Sequence, residues 1–155
     1  MEKKLFKLLK NSSVGIPDID TQHRQLINLG CNLSQMCRKR ERLSEIEFAM
    51  LVKQTLYFVN YHIKYEGKLM EETAYPGMDA HKEFHNVFFL NFLKQIRAFE
   101  ARDSFVPENL SGILYEWMNS HFLMDADLGQ HINKGRKRNF PGLLDLFHSK
   151  NGFIR

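Results

Sequence analysis

Apolar residues recur at three- and four-residue intervals along four long stretches of this chain, and only short breaks separate the stretches. That period marks amphipathic helices, and no strand-like alternation with hairpin turns competes with it. Asp20 is placed to cap a first helix through Leu26, Leu29, Leu33 and Met36. Ser44-Glu45-Ile46-Glu47 then has the Ser-x-x-Glu form of a capping box. The apolar face after it, Phe48, Leu51, Val52, Leu56 and Val59, continues past His62 to Leu69 and Met70, and Ala74-Tyr75-Pro76-Gly77 ends it in a turn. A third helix is predicted from near Asp79 through Phe84, Val87, Phe88 and Phe92 to about Glu100. Asp103 to Pro107 forms the next break, with Pro107 suited to a first helical turn. The fourth helix carries Leu110, Leu114, Trp117, Met118 and His121 and is expected to reach the vicinity of Gly129.

Four such helices with short connections predict an all-α fold, an antiparallel up-down-up-down four-helix bundle. Val14-Gly15-Ile16-Pro17 reads as an extended N-terminal arm packed outside it. Pro141-Gly142 and then Leu143-Leu144-Asp145-Leu146-Phe147 read as a short C-terminal extension with an extra helix closing one end. The 155 residues fit a single domain, with its core over about 14–130 and the extension over 131–155.

Composition narrows the function. No apolar run approaches the roughly 20 residues needed to span a bilayer. The start, Met1-Glu-Lys-Lys-Leu-Phe-Lys, lacks the apolar stretch and cleavage site of a signal peptide, so a cytoplasmic location is expected. Cys31 and Cys37 are six residues apart on one helix and point to different faces, so neither a disulfide nor a Cys-x-x-Cys site is expected. The net charge of +4 is modest, and its late cluster, Lys134, Arg136, Lys137 and Arg138, reads as a solvated helix end rather than a nucleic-acid surface. The 13 phenylalanines suit an interior that excludes water.

The histidines carry the chemistry. His62 and Glu66 stand four apart on the second helix, His81 and His85 on the third, and His121 and Asp125 on the fourth, so each pair projects from one face. His23 lies early in the first helix. Because helices alternate in direction, early positions on odd helices sit beside late positions on even ones, which brings all four groups to one end of the bundle. One His-x-x-x-His or His-x-x-x-Glu alone is an ordinary helix pair. Five imidazoles and two carboxylates turned inward at one level are costly without a metal. Five imidazoles with two bridging carboxylates fill most of two octahedra, leaving room for a bridging oxide or hydroxide and one open position. Imidazole with carboxylate suits iron, and zinc or copper stay open on ligand type alone. His131 and His148 lie beyond that level and are expected at the surface.

Several stretches carry a resemblance: Val14 to His23 (VGIPDIDTQH), His62-Ile-Lys-Tyr-Glu66 with Leu69-Met70, Tyr75-Pro76, His81-Lys-Glu-Phe-His85 and Trp117-Met-Asn-Ser-His121. Over about residues 14–130 the chain resembles the hemerythrin family, in its bacterial branch. The resemblance implies one iron (Fe2+/Fe3+) held by His81, His85 and His121. It implies a second held by His23 and His62, with Glu66 bridging and dioxygen taken up at the open position. The family's last carboxylate usually stands five residues after the fifth histidine, where this chain has Ala126. Asp127, six residues on, is about 240° round the helix from His121, whereas Asp125 is only about 40° off and keeps the family's spacing to Gly129. Asp125 is therefore the expected second bridge, the alternative being a site with one bridging carboxylate.

Ferritin-like oxygen-activating enzymes pair carboxylate-rich ligands with Glu-x-x-His spacing, which is absent here. The leading expectation is an oxygen-binding protein that stores, delivers or senses dioxygen, rather than an enzyme. The alternative is a di-iron redox enzyme or sensor acting on peroxide or nitric oxide. Trp117, Met118, Phe58, Leu114 and Phe122 are candidates for the lining of the oxygen pocket.

Overall fold

The computed structural model describes residues 8, 10, 12–38, 45–101 and 107–139. Four helices follow one another: α1 (Pro17–Arg38), α2 (Glu45–Glu72), α3 (Met78–Glu100) and α4 (Pro107–Asn139). α1 packs against α2 and α4, and α3 packs against the same two, so neighbours in sequence are neighbours in space and the chain closes on itself. The protein is a four-helix bundle. Among the described residues no helix is long and apolar enough to cross a membrane.

α1 starts three residues before the expected cap. Pro17 occupies its first turn, where a missing N–H costs nothing, and the Ile16 carbonyl accepts the first helical bond from Asp20 N–H at 2.9 Å. Asp20 therefore lies inside the helix. Its carboxylate reaches back to accept the Val14 N–H at 2.7 Å and the Ser13 hydroxyl at 2.9 Å, clasping the arm to the helix it precedes. Ser44, the first residue of the expected capping box, lies outside the described residues, as do Asp103, the 143–147 segment and His148. The same holds for the side chains of Cys37, Arg136, Lys137 and Arg138.

α2 ends where the turn residues predict, in a Schellman motif. Tyr75 N–H bonds to Met70 O at 2.9 Å and Ala74 N–H to Glu71 O at 3.2 Å, with Ala74 in the left-handed region at φ 47°. Glycine is the usual occupant of that position.

α4 does not stop near Gly129. It continues to Asn139 because Leu128 and Ile132 are buried against Val14, Ile16 and Ile19 of the arm and α1, and against Met70 of α2. Gly129 is buried beneath the Val14 carbonyl, with no room for a β-carbon, so it permits the arm to cross rather than ending the helix.

Two apolar layers result. The larger, with Leu26, Leu33, Phe48, Val52, Phe92 and Leu114 among its members, fills most of the bundle. The smaller, formed by Val14, Ile16, Ile19, Met70, Leu128 and Ile132, closes the end crossed by the arm. Polar side chains occupy the level between them.

Candidate metal centre

That level holds His23 on α1, His62 and Glu66 on α2, His81 and His85 on α3, and His121 and Asp125 on α4, all buried. The helix period explains the arrangement: each i, i+4 pair falls on the inward face of its helix, and the up-down order puts the pairs side by side. Donor atoms of His23, His62, Glu66, His121 and Asp125 lie within 4.8 Å of one another, as do those of Glu66, His81, His85 and His121. The two sets share Glu66 and His121. Asp127 is exposed on the far side of α4, so of the two candidate aspartates the structure brings only Asp125 to the cluster.

The Nε2 atoms point inward. His62 Nε2 is 3.2 Å from Glu66 Oε1, His85 Nε2 is 3.3 Å and His121 Nε2 3.4 Å from Glu66 Oε2. Asp125 lies 2.9 Å from His23 Nε2, 3.1 Å from His81 Nε2 and 3.2 Å from His121 Nε2. Two rings are held from behind. His23 Nδ1 donates to the Ser12 carbonyl at 2.7 Å, and His62 Nδ1 to Gln22 Oε1 at 2.9 Å. Those acceptors take only a proton-bearing nitrogen, which turns the Nε2 atoms of both rings toward the cluster.

Lone pairs then confront one another. His62 Nε2 and His121 Nε2 are 2.8 Å apart and can share one proton at most. Both oxygens of Glu66, both nitrogens of His81, His85 Nδ1 and Asp125 Oδ1 are buried without a hydrogen-bond partner. Such a concentration of unpartnered polar atoms, most of them able to offer a lone pair, is expensive in an apolar interior unless a cation sits among them. The donor set fits a metal-binding site.

Protonation follows the same physics. Burial lowers His62 to about 3 and His85 to about 4, with neighbouring imidazoles adding to the effect and Asp125 opposing it. Burial likewise takes His121 well below the ordinary imidazole range. Glu66 is pushed well above the carboxylate range by burial and then by the Asp125 charge. For Asp125 burial acts upward, but the charge of His121 and the contacts of His23 and His81 outweigh it and hold the carboxyl well below its usual value. At His62, His85 and His121 the cluster thus offers neutral imidazoles, the form that coordinates metals.

Aromatic rings wall the site. Trp117 stacks on His121 with centroids 4.4 Å apart, Phe88 stacks on Trp117 at 4.3 Å, and Phe122 stacks on His23 at 4.0 Å. Met118 and Leu114 lie in the main core behind Trp117, whereas Phe58 is half-buried and faces Tyr61 at 5.8 Å. His131, expected at the surface, is half-buried, with Nε2 donating to the Thr73 carbonyl at 2.9 Å and its ring 5.4 Å from Tyr75. It ties the lengthened α4 to the α2–α3 turn.

Gln22 and the Ser12 carbonyl were not anticipated. A signal for Gln22 did exist: with Leu26, Leu29 and Leu33 it completes an i, i+4, i+7, i+11 stripe, a polar residue on an otherwise apolar face.

Known proteins agree with this picture. The chain is 28% identical over 137 residues to a protein named bacteriohemerythrin from Stenotrophomonas maltophilia, covering 84% of this chain and 86% of that one. It is 26% identical over 113 residues to proteins of the same name from Pseudomonas aeruginosa and Pseudomonas paraeruginosa, covering 73% of this chain and 71% of each relative. These similarities, extending over most of the chain, support a hemerythrin-family assignment. No family model matches it, and no solved structure does. Together with this similarity, the buried histidine and carboxylate cluster, set on four helices of a bundle, suits a non-haem di-iron protein.

Proposed function

We propose that this chain holds two irons without haem and binds dioxygen reversibly, acting in oxygen storage, delivery or sensing as one domain. In this reading His81, His85 and His121 hold one iron and His23 and His62 the other. Glu66 and Asp125 bridge them together with an oxide or hydroxide. The observation that carries the reading is the convergence of five imidazoles on two buried carboxylates, with oxygens and nitrogens left unpartnered at the centre. The family supports iron as the metal, and the histidine-rich donor set agrees with it. When bound, such an iron pair supplies the electrons that reduce dioxygen and takes them back on its release.

The rest is the work of this chain's residues. Ser12 and Gln22 keep His23 and His62 aimed inward. The Trp117 and Phe122 rings restrain His121 and His23. The apolar layers on either side keep water from the centre, which favours holding oxygen over committing it to further chemistry. Glu66, pushed toward its protonated form by burial and then by the Asp125 charge, would give up that proton to bound cations.

Anaerobic loading with ferrous iron, followed by oxygen exposure, tests the proposal. The expected outcome is two irons per chain and a visible charge-transfer band that appears with oxygen and fades when oxygen is removed. Irons that oxidise without reversal would move the reading to a redox enzyme or sensor for peroxide or nitric oxide. Failure to bind two metals would overturn it.

A further inference from the structure

His62 is held from behind by a side chain from outside the cluster, and the other cluster imidazoles are not: the outer nitrogen of His121 meets only His85, itself a member, at 3.4 Å. The outer nitrogen of His23 rests on a backbone oxygen, and those of His81 and His85 have no hydrogen-bond partner. His62 alone among these relies on a residue that substitution can remove, Gln22. That amide is 5% exposed and borders a groove of about 380 Å³, open to solvent and lined also by Asp18, Thr21, Gln25, Tyr61 and Tyr65. A glutamine at the rim of a polar groove has water within reach, so lack of partners does not force it inward. Its inward turn is explained by what it meets there.

The two rings held from behind are also the two assigned above to one iron, which receives two histidines where the other receives three. An acceptor on the outer N–H of a metal-binding imidazole fixes its tautomer, orients its ring and strengthens the inner nitrogen as a donor. We propose that Gln22 is a positioning residue for the two-histidine side of the centre. Its amide oxygen holds His62 as the Nδ1–H tautomer, aims Nε2 at the cluster and offsets the smaller imidazole count with a stronger donor. The inference rests on the di-iron reading.

Two variants test it. Gln22→Met keeps the length of the side chain and removes the acceptor, and Gln22→Glu keeps an acceptor and makes it anionic. Long-range proton–nitrogen correlation spectra of the metal-free protein read the His62 tautomer. Anaerobic ferrous titration reads the affinity of each iron, and a redox titration reads the midpoint potential. In Gln22→Met the Nδ1–H form should lose its dominance, and one of the two irons should bind roughly 10- to 100-fold more weakly. Gln22→Glu should restore both irons and shift the potential below that of the wild type, because a more basic His62 favours the ferric state. A folded Gln22→Met protein with the wild-type tautomer and both affinities intact would overturn the proposal, as would an unchanged potential in Gln22→Glu. If the wild-type chain itself takes up no iron, the di-iron reading falls and this inference with it. If the wild type loads fully and both variants match it, only the role of Gln22 falls.

Discussion

Gly129 of α4 lies beneath the backbone carbonyl of Val14, so close that a β-carbon at position 129 would overlap the oxygen. The contact matters two residues upstream, where the Ser12 carbonyl accepts the outer N–H of His23. Asp20 holds the same arm from the other side through Val14 N–H and the Ser13 hydroxyl. The arm is thus fastened through both Gly129 and Asp20, and a ring of the buried cluster depends on where it lies.

Gly129→Ala tests that dependence. Alanine favours a helix by up to about 1 kcal/mol over glycine. Here its methyl group meets backbone, which cannot swing aside as a flexible side chain can. A net loss of about 1–3 kcal/mol is expected, together with weaker iron retention as His23 loses its orientation. Urea denaturation of the metal-free protein and an iron count after dialysis measure the two effects. A denaturation midpoint at or above the wild-type value would show that the arm adjusts freely.

The arm also shows what was legible in the sequence and what was not. The four helices and the seven cluster residues followed from the helix period and the alternation of direction, because both act locally and repeat. Choosing Asp125 over Asp127 needed the angular argument, since neither stands at the usual spacing, and the structure places Asp125 in the cluster with Asp127 exposed. Asp20 was misread as a cap because Asp before an apolar stripe is a good local signal. The fixed φ of Pro17 starts the helix earlier and frees that carboxylate for the arm. Gly129 was misread as a stop because a glycine's meaning depends on what crosses it. Leu128 and Ile132 extend α4 only by packing against an arm more than a hundred residues away, which no local pattern reports.

Ala74 is a small defect with a simple repair. It takes the left-handed position of the Schellman motif that ends α2, at φ 47°, where an L-residue is strained. Ala74→Gly should stabilise the protein by about 1 kcal/mol, the relief of strain exceeding the entropy glycine adds to the unfolded chain. The expected reading is a higher urea midpoint with an unchanged slope. Because Ala74 is exposed and lies outside the cluster, iron stoichiometry should stay the same.

Glu66 sets stability against metal binding. Burial and the Asp125 charge raise its pKa, so in the metal-free protein its stabilising contribution is present below about pH 4.5 and is lost as pH rises. Glu66→Gln keeps the shape and cannot ionise. At pH 7 the metal-free variant should be more stable than the wild type by on the order of 1 kcal/mol, while losing the oxygen pair that faces His62, His85 and His121. The stability gain should shrink toward zero below pH 4.5. Thermal melts across pH, paired with iron counts, would refute this account if the variant were less stable at neutral pH.

The histidines impose the opposite slope. His62 is lowered to about 3 and His85 to about 4 by burial, with His121 lowered as well, against an ordinary value of 6.5. Below 6.5 the unfolded chain takes up protons that the folded cluster refuses, so their contribution to stability is complete above pH 6.5 and declines as pH falls toward 3–4. One fully refusing imidazole amounts to about 1.4 kcal/mol for each pH unit, and three of them outweigh the single opposing slope of Glu66. Metal-free protein should therefore lose stability progressively from about pH 6 downward, well before ordinary carboxylates titrate. Urea midpoints measured from pH 7 to pH 4 check the slope, and a flat profile would mean that the imidazoles take up protons without unfolding. Iron-loaded protein should resist acid further, since bound cations hold the same nitrogens in their unprotonated form and stabilise only the folded chain.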